Sequence, residues 1–397
     1  MIASRAIQTM CPSCHDRTGD VFYEQWNVPV TSNRIFLTRE EAMACERGDI
    51  RLAFCHACGF ISNIAFDPGF RADDSETTQA GSPKFREYSS TLARTWIKRH
   101  GLQGKTVLEI GCGRGEFLQA MVENGVAHAI GVDPVLVSGP AHSAAGDDRF
   151  NWIAGDYQAD HLTDDVRALI CRHTLEHIPD TATFLDAVRE SIGDRDMPVL
   201  FEVPDILPIL RSVAIHDIYY EHCAYFSAGS LARAFARAGF AVERVTRAYD
   251  GQYLLLEARP TSIPQGEPAE DDRPSTWQAT AAFRLIHEQR SRAARKMFTD
   301  LAAEGRRIAF WGAGSKATAY LTTLQLNDEV QCVVDINPRK QGTFIPGTGH
   351  PVVAPADLVS YRPDVVVVMN EIYREEIAEI LQDLGVDADL IGVGGHA

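Results

Sequence analysis

A short polar stretch at residues 219–227, YYEHCAYFS, contains the residue types needed to move a proton. Tyr219, Glu221 and His222 lie within four positions of one another. A neutral imidazole can accept a proton, a carboxylate can fix the imidazole tautomer, and a phenol can stabilise a developing oxyanion. The same composition also suits a tyrosine-rich turn whose hydroxyls and imidazole are satisfied in packing. From composition, proton transfer and structural packing are equal alternatives.

Two further histidines, His173 and His177, follow a predicted strand at residues 168–171. Because they are four residues apart, a helical turn would project both side chains to one side. We expect one of the two to be active, with His177 the preferred candidate. The alternative role for such a histidine is to orient the loop without contacting a reacting group.

The chain contains two Cys-x-x-Cys pairs, formed by Cys11, Cys14, Cys55 and Cys58. Paired thiolates at this spacing can occupy adjacent corners of a zinc tetrahedron, and a second pair completes it. A single pair could be redox-active, but two pairs around a strand-rich insert favour structural zinc. His15 and His56 could substitute as ligands, although four cysteines are the simpler set. A closed site has no open position for catalysis, so we expect the zinc to stabilise a small domain.

A glycine-rich turn joins a predicted buried strand to a helix at residues 106–118, TVLEIGCGRGEFL. Gly111, Gly113 and Gly115 let a ligand approach bare backbone N–H groups at the helix N-terminus. This shortened GxGxG pattern, with Glu109 before it, resembles motif I of class I S-adenosylmethionine (SAM) methyltransferases. A carboxylate at this position favours binding of the cationic groups of SAM over binding of an anionic pyrophosphate. An NAD-binding domain and a purely structural βαβ unit are the alternatives.

Four later residues are further candidates for a SAM site. Asp133 ends a second short predicted strand about twenty residues after the glycine turn, where a carboxylate can bind ribose hydroxyls. Asp156 and Tyr157 follow the next strand and match the family's acidic residue beside the adenine amino group. Arg172 directly follows the fourth strand, and we include it among the cofactor-binding candidates.

A second α/β unit follows a proline-rich acidic linker at residues 259–275 and a predicted long helix at 276–304. Its predicted strand at 308–311 runs into the turn GAGSKA, a GxGxxA pattern that can form a phosphate cradle. Lys316 in this turn suits phosphate as a point charge. The alternative is an NAD-type fold that binds no dinucleotide.

Composition limits the class of protein. The 397 residues carry a formal net charge of −16, which argues against nucleic-acid binding through a general basic face. No apolar run is long enough to cross a bilayer, and the start MIASRAIQTM has no hydrophobic signal core. Nine cysteines in such a chain indicate metal ligands and buried thiols and not disulfides. We therefore expect a cytoplasmic, multidomain enzyme without a nucleic-acid or membrane partner.

Taken in order, these motifs resemble the three-domain SAM-dependent sugar C-methyltransferases of deoxysugar biosynthesis, over nearly the whole chain. The resemblance continues through the C-terminal stretches WGAGSKA, DINPRKQGTFIPGTGHPV and VVVMNEIYREEI. It implies an α/β fold: a class I SAM methyltransferase Rossmann-like domain with an N-terminal zinc-binding module and a C-terminal second Rossmann-like domain. The expected divisions are a zinc module at 1–84, a SAM domain at 85–258, a linker and helix at 259–304, and a substrate-binding domain at 305–397.

The resemblance also implies a reaction: methyl transfer to C3 of a nucleotide-linked 4-keto-6-deoxysugar, whose nucleotide lies between the central and C-terminal domains. The family's Tyr-x-Glu-His motif falls on Tyr219, Glu221 and His222. His222 would remove the C3 proton, and Glu221 would orient it. Tyr219, helped by His177, would hydrogen-bond the enolate oxygen. The carbanion would then attack the SAM methyl group in line, with inversion at C3.

The expected substrate contacts are Tyr88, Tyr220 and Lys316. Tyr88 is either a lid residue or a half-buried aromatic at a helix start. Two departures from the family pattern are GFISN after the second cysteine pair and Glu176 in HTLEH, where a small residue is common. They leave open the sugar, the carbon or oxygen that is methylated, and the oligomeric state. Other candidate functions are an O- or N-methyltransferase on this scaffold, and a non-catalytic module that binds SAM or a nucleotide sugar.

Overall fold

A computed structural model describes residues 9–17, 19–71, 76, 79–138, 146–263 and 271–393. Within these ranges the chain forms three β-sheets flanked by helices. Parts of the expected connector at 67–84 and of the linker at 259–275 lie outside the described residues, as do residues 1–8.

The N-terminal unit is a small antiparallel sheet. Its elements are β1 (Gly19–Pro29), α1 (Arg39–Met43), β2 (Arg47–Cys55) and β3 (Ile61–Asn63). In β2, the alternate residues Ile50, Leu52 and Phe54 are buried, which is the period of a strand with one face on a core. The fourth strand of this sheet comes from the central unit, about 160 residues further along the chain.

The central unit is a seven-stranded sheet between helices. Its elements are α2 (Pro83–His100), β4 (Thr106–Ile110), α3 (Glu116–Glu123), β5 (His128–Val132), β6 (Phe150–Ile153), β7 (Val166–Arg172), α4 (Thr181–Ile192), β8 (Val199–Pro204), α5 (Ile206–Ser212), β9 (Ala224–Tyr225), α6 (Ala228–Arg237), β10 (Phe240–Ala248) and β11 (Tyr253–Pro260). The strand order is β10-β11-β8-β7-β4-β5-β6, and β11 is antiparallel to both of its neighbours. This is the predicted class I SAM methyltransferase fold, so that prediction is confirmed.

The order of the parallel strands reverses at β4, which has β5 on one side and β7 on the other. In doubly wound sheets, ligands bind in the crevice outside the carboxyl ends of strands at such a switch point. All five residues of β4 are buried, so the strand is a fixed support for the turn that follows it. The glycine turn after β4 and the histidine-containing loop after β7 therefore meet at one crevice.

The C-terminal unit is a parallel five-stranded sheet in the order β14-β13-β12-β15-β16. Its elements are α7 (Arg273–Ala303), β12 (Ile308–Trp311), α8 (Ser315–Leu324), β13 (Cys332–Val334), β14 (Val352–Val353), α9 (Leu358–Tyr361), β15 (Val365–Val368), α10 (Arg374–Asp383) and β16 (Asp389–Gly392). The long helix that the sequence predicts is present and begins at Arg273. The second Rossmann-like domain is therefore confirmed as a fold.

The three units pack as one body around shared apolar side chains. One buried cluster contains Ile50 of the N-terminal unit, Leu210 of the central unit and Phe310 of the C-terminal unit. In addition, β3 pairs with β9, which joins the N-terminal sheet to the central unit through backbone hydrogen bonds. In the described parts of the chain, no helix combines the length and the hydropathy that crossing a bilayer requires.

Candidate active site

A cleft of about 1500 Å³ opens at the carboxyl ends of β4 and β7, and the C-terminal unit forms its opposite wall. Most of the residues that the sequence predicts for the site line this cleft. They are Glu109, Gly111, Gly113, Asp133, Asp156, Tyr157, Arg172, His173, His177, Tyr219, Glu221, His222 and Lys316. Three predicted residues do not line it: Tyr88, Gly115 and Tyr220.

The glycine turn requires glycine for two separate reasons. Gly111, Gly113 and Gly115 have φ values of 68°, 56° and 92°, a region that side chains with a Cβ rarely adopt. A Cβ on Gly111 would overlap Thr174, and a Cβ on Gly115 would overlap the ring of Trp152. The turn therefore presents bare backbone to the cleft at the start of α3, as the sequence predicts for a SAM cradle.

Asp133 closes the other side of this turn. Its two carboxylate oxygens accept hydrogen bonds from the backbone N–H groups of Gly113 and Val135, each at 2.8 Å. Burial raises the pKa of this carboxyl group, and the two backbone donors oppose that rise. Each oxygen has a further lone pair for a hydroxyl donor, which is what a ribose would supply.

Glu109 lies buried beside Arg172 under the turn. Burial raises the pKa of Glu109 to about 8, and its Oε2 atom has no hydrogen-bond partner among the residues that the structure describes. Arg172 lies 4.0 Å from the ring centre of Phe117, and its Nε atom donates to Glu202 over 2.5 Å. In the described part of the chain, the Arg172 Nη2 atom also has no hydrogen-bond partner. Glu109 and Arg172 therefore each have a buried polar atom without a partner next to the glycine turn.

Tyr88 belongs to the same buried network and not to the cleft wall. Its hydroxyl donates to Glu202, and burial together with this carboxylate raises the pKa of the phenol. The lid interpretation is therefore wrong, and the alternative of a half-buried helix residue matches the structure. Asp156 and Tyr157 do line the cleft, but the Tyr157 hydroxyl is hydrogen-bonded to Ser191 over 2.7 Å.

Three of the predicted catalytic side chains lie in contact. The ring centre of His222 is 4.2 Å from that of Tyr219 and 4.9 Å from that of His177. The Nδ1 atom of His177 is 2.8 Å from the backbone oxygen of Glu221, so Nδ1 donates a hydrogen bond to this oxygen. Burial lowers the pKa of His222 well below its usual range, with the positive charge of His177 as a second cause. His222 is therefore neutral at neutral pH.

Glu221 does not orient His222 as the sequence predicts. Among the described residues its Oε2 atom accepts a hydrogen bond from Ser32 of the N-terminal unit, and its Oε1 atom has no partner. The carboxylate of Glu176 instead has one oxygen within 4.8 Å of ring nitrogens of both His177 and His222. Glu176 is 2% exposed, and its Oε2 atom is unpartnered. The only sequence signal for it was its departure from the family pattern.

His173 and His177 do not share a helical face. The turn after β7 is a single 3₁₀ turn at Leu175–His177, and His173 precedes it with a φ of 51°. The His173 ring packs on Tyr253 at 4.5 Å, and its Nε2 atom lies 3.6 Å from Glu202. The Nδ1 atom of His173 also lies 3.8 Å from Glu176, so both histidines adjoin this carboxylate, but of the two only His177 is in ring contact with His222.

Two predicted substrate contacts have other partners. Tyr220 is 3% exposed, packs on Phe66 and accepts a hydrogen bond from the backbone N–H of Asp67 at 2.9 Å. It is a core residue of the N-terminal unit, so the prediction of a substrate contact is wrong. Lys316 lines the cleft, but its ammonium group is paired with Asp217 of the central unit and is not a free phosphate ligand.

The four predicted zinc ligands come together at the base of the N-terminal unit. The sulfur atoms of Cys11 and Cys58 are 3.7 Å apart, those of Cys14 and Cys55 are 3.6 Å apart, and all four lie within 4.8 Å of one another. Zinc–sulfur bonds of about 2.3 Å give a tetrahedron with edges of about 3.8 Å, so the cluster is compatible with zinc. His56 instead binds Asp20 at 2.8 Å.

Comparisons with known proteins agree with this arrangement. The model of a methyltransferase domain matches residues 80–245, and that of a C-methyltransferase C-terminal domain matches residues 269–388. The C-methyltransferase NovU of Streptomyces niveus is 25% identical over 312 residues, which cover 74% of this chain and 73% of that protein. The ubiquinone biosynthesis O-methyltransferase of Pseudomonas paraeruginosa is 34% identical over 103 residues, 24% of this chain and 44% of that protein.

Two solved structures align with part of this chain. A SAM-dependent methyltransferase of Mesorhizobium loti aligns with a TM-score of 0.34 and 19% identity, over 43% of this chain and 97% of that one. The 1,6-didemethyltoxoflavin-N1-methyltransferase of Burkholderia thailandensis aligns with a TM-score of 0.35 and 20% identity, over 46% and 83%. The two family models, in contrast, extend over both the central and the C-terminal units.

Proposed function

We propose that the chain is a SAM-dependent sugar C-methyltransferase that methylates C3 of a nucleotide-linked 4-keto-6-deoxysugar. One observation carries this proposal: neutral His222, in ring contact with Tyr219 and His177, lines the same cleft as the glycine turn of the cofactor cradle. A carbon nucleophile has to be made by deprotonation, so such an enzyme needs a positioned base close to the methyl donor.

The proposed reaction has two steps. The C4 ketone acidifies the C3–H bond, His222 takes the proton, and the bonding electron pair is delocalised onto the ketone oxygen as an enolate. The electron pair then forms the new bond from C3 to the SAM methyl group, and S-adenosylhomocysteine leaves. SAM supplies the electrophilic methyl group, and the imidazolium of His222 holds the proton that was removed.

Two neighbours support the charges that develop in this scheme. Burial raises the pKa of Tyr219 well above its usual range, so its phenol stays protonated and can donate to the enolate oxygen. The carboxylate of Glu176 lies close to His222 and can stabilise the imidazolium that forms there. Glu221 acts through its backbone oxygen, which accepts the hydrogen bond from His177 Nδ1.

The nucleotide part of the substrate is assigned to the side of the cleft formed by the C-terminal unit. Residues after β12 and β15 line that side, among them Gly312, Gly314, Met369 and Asn370. This position would leave the sugar between the nucleotide and the cofactor cradle. It would also give the second Rossmann-like unit a function that needs no dinucleotide of its own.

The test is isotope exchange at C3 in deuterated water. We expect the enzyme, without SAM, to exchange the C3 proton of thymidine diphosphate-linked 4-keto-6-deoxyglucose faster than the sugar does alone. His222→Ala should lower exchange and methyl transfer by about 10²- to 10⁴-fold, the usual contribution of a positioned base. SAM binding, measured by calorimetry, should be unchanged. His128→Ala, an exposed histidine at the start of β5, is the matched control.

The outcomes separate the candidate functions. An enzyme that methylates an oxygen of the sugar, with no exchange at C3, would support the O-methyltransferase alternative. That alternative draws on the central segment shared with the ubiquinone biosynthesis O-methyltransferase. Exchange and transfer that persist in His222→Ala would reject His222 as the base. Binding of SAM and sugar without any product would favour a non-catalytic module.

A further inference from the structure

A chain of polar side chains runs from the C-terminal unit to the turn that carries His222. Its members, in order, are Lys340, Asn33, Ser315, Ser32 and Glu221. Lys340 and Glu221, at the two ends of this series, are 4% and 3% exposed. Ser32, which contacts Glu221, is 4% exposed, so all three side chains are buried. This hydrogen-bonded series crosses all three units, and three of its members, Asn33, Ser315 and Glu221, line the cleft.

The contacts are continuous. Lys340 Nζ donates to the side-chain oxygen of Asn33 over 3.0 Å, and the Asn33 amide donates to Ser315 Oγ over 2.7 Å. The hydroxyl oxygens of Ser315 and Ser32 are 2.9 Å apart, and Ser32 Oγ donates to Glu221 Oε2. Lys340 Nζ also donates to the backbone oxygen of Ala313 over 2.9 Å, which fixes it at the glycine turn of the C-terminal unit.

The chemistry of Lys340 and Glu221, at the two ends of the series, gives all of its hydrogen bonds the same donor-to-acceptor direction. An ammonium group only donates, and a carboxylate only accepts. The Ser32 hydroxyl is placed to donate to either Ser315 or Glu221, but it has one proton, so its donation to Glu221 requires Ser315 to donate to Ser32. The Asn33 oxygen accepts from Lys340, which leaves its amide to donate. Hydrogen bonds in series polarise one another in a buried setting, so a break at one link weakens the others.

The chain ends next to the catalytic histidines. The backbone oxygen of Glu221 accepts the hydrogen bond from His177 Nδ1, and His222 is the next residue. We propose that Ser32 is a positioning residue, which holds the Glu221–His222 turn at its place in the cleft through hydrogen bonds that begin at Lys340. This inference rests on the proposed function, because the reaction defines what the turn must position.

Ser32→Ala is the direct test, with Ser32→Thr as the variant that keeps the hydroxyl. A misplacement of about 1 Å at a reacting group costs up to about 10²-fold in rate, so we expect kcat to fall by about 10- to 100-fold in Ser32→Ala. The melting temperature should fall by a few degrees, because the buried Glu221 carboxyl group loses its hydrogen-bond donor. The dissociation constant for SAM should change little. Ser32→Thr should recover most of the lost rate. Ser62→Ala, a buried serine of β3 outside the chain, is the matched control.

A double-mutant cycle tests the connection to the far end. If Lys340 acts on the turn through Ser32, the loss in Ser32→Ala/Lys340→Met should be no larger than the greater of the two single losses. Additive losses, or a kcat for Ser32→Ala within twofold of the wild type, would overturn the inference. A fall in SAM affinity by the same factor as the fall in kcat, together with a large fall in melting temperature, would also overturn the inference. Wild-type enzyme with no C3 exchange and no methyl transfer would instead overturn the proposed function.

Discussion

Glu109 combines a buried carboxyl group with a position beside the cofactor cradle. It is 2% exposed, its Oε2 atom is unpartnered, and burial raises its pKa to about 8. In the ligand-free protein at neutral pH, the carboxyl group is therefore mostly protonated. A cationic ligand in the cradle favours the ionised form, so binding of SAM should be accompanied by proton release.

This shift predicts a pH-dependent stability. The folded-state pKa of about 8 lies above the ordinary value of 4.5, so the folded state binds more protons than the unfolded state between these values. Stability therefore falls as the pH rises through this window. Glu109→Gln mimics the protonated form and removes the effect, so the melting temperature of the variant relative to wild type should increase from about pH 5 to about pH 8.5.

Thermal unfolding without ligand across this range checks the prediction. Glu123→Gln, an exposed glutamate on α3, is the control and should follow the wild type at every pH. A difference between Glu109→Gln and wild type that stays constant with pH would contradict a raised pKa at this carboxyl group.

At the scale of elements, the turn between β4 and α3 depends on a close approach to β6. Gly115 has a φ of 92°, and a Cβ there would overlap the ring of Trp152. We expect Gly115→Ala to displace the backbone N–H groups of the cradle and to raise the dissociation constant for SAM by about tenfold or more, since such substitutions where φ is positive cost more than about 1 kcal/mol. Calorimetric titration of both proteins with SAM measures this change in the dissociation constant.

Gly104→Ala separates the two possible causes of a lower SAM affinity, which are backbone strain at a positive φ and overlap of the added Cβ with a neighbouring side chain. Gly104 also has a positive φ, 67°, but no heavy atom lies within 4 Å of the position of an added Cβ. This variant carries the backbone strain without the overlap and lies away from the cleft. An equal loss of SAM affinity in both variants would show that general destabilisation, and not displacement of the cradle, is responsible.

The elements themselves were largely predictable from sequence because their signals are local. The strand at 308–311 is observed with the predicted bounds, and the strand predicted at 129–132 is His128–Val132. In each case an apolar run ends at a glycine or an acid, which marks both the strand and its carboxyl end. Pairing between distant segments leaves no such local trace, and the short strand β9 was not predicted for that reason.

The candidate site was predictable in its composition and not in its contacts. Residue types and spacing made Tyr219, His222 and the glycine turn candidates, and the family resemblance was needed to choose proton transfer over structural packing for Tyr219 and His222. Tyr220 was assigned to the substrate, but adjacent residues point to different environments, and its ring packs into the N-terminal core. The role of Glu176 depends on a loop with an unusual backbone at His173, which no sequence pattern specifies.

At the scale of the whole molecule, the cysteine cluster is linked by backbone pairing to the turn that carries Glu221 and His222. Strand β2 ends at Cys55 and pairs with β3, and β3 pairs with β9, where Tyr225 lies opposite Ile61. His222 lies three residues before Tyr225. The four thiolates come from two separate segments of the N-terminal unit, so a bound metal would tie these segments together and contribute directly to its folding.

This arrangement predicts that loss of the metal lowers activity from a distance. Cys58→Ser should lose zinc, unfold at a lower temperature and lose methyl transfer, because β3 no longer supports β9 and the turn before it. SAM binding should be less affected, since the cradle belongs to the seven-stranded sheet. Cys45→Ser, a buried cysteine outside the cluster, should keep zinc and activity. Metal content, melting temperature and turnover measured on the same samples check this, and a zinc-free Cys58→Ser protein with normal turnover would contradict the link.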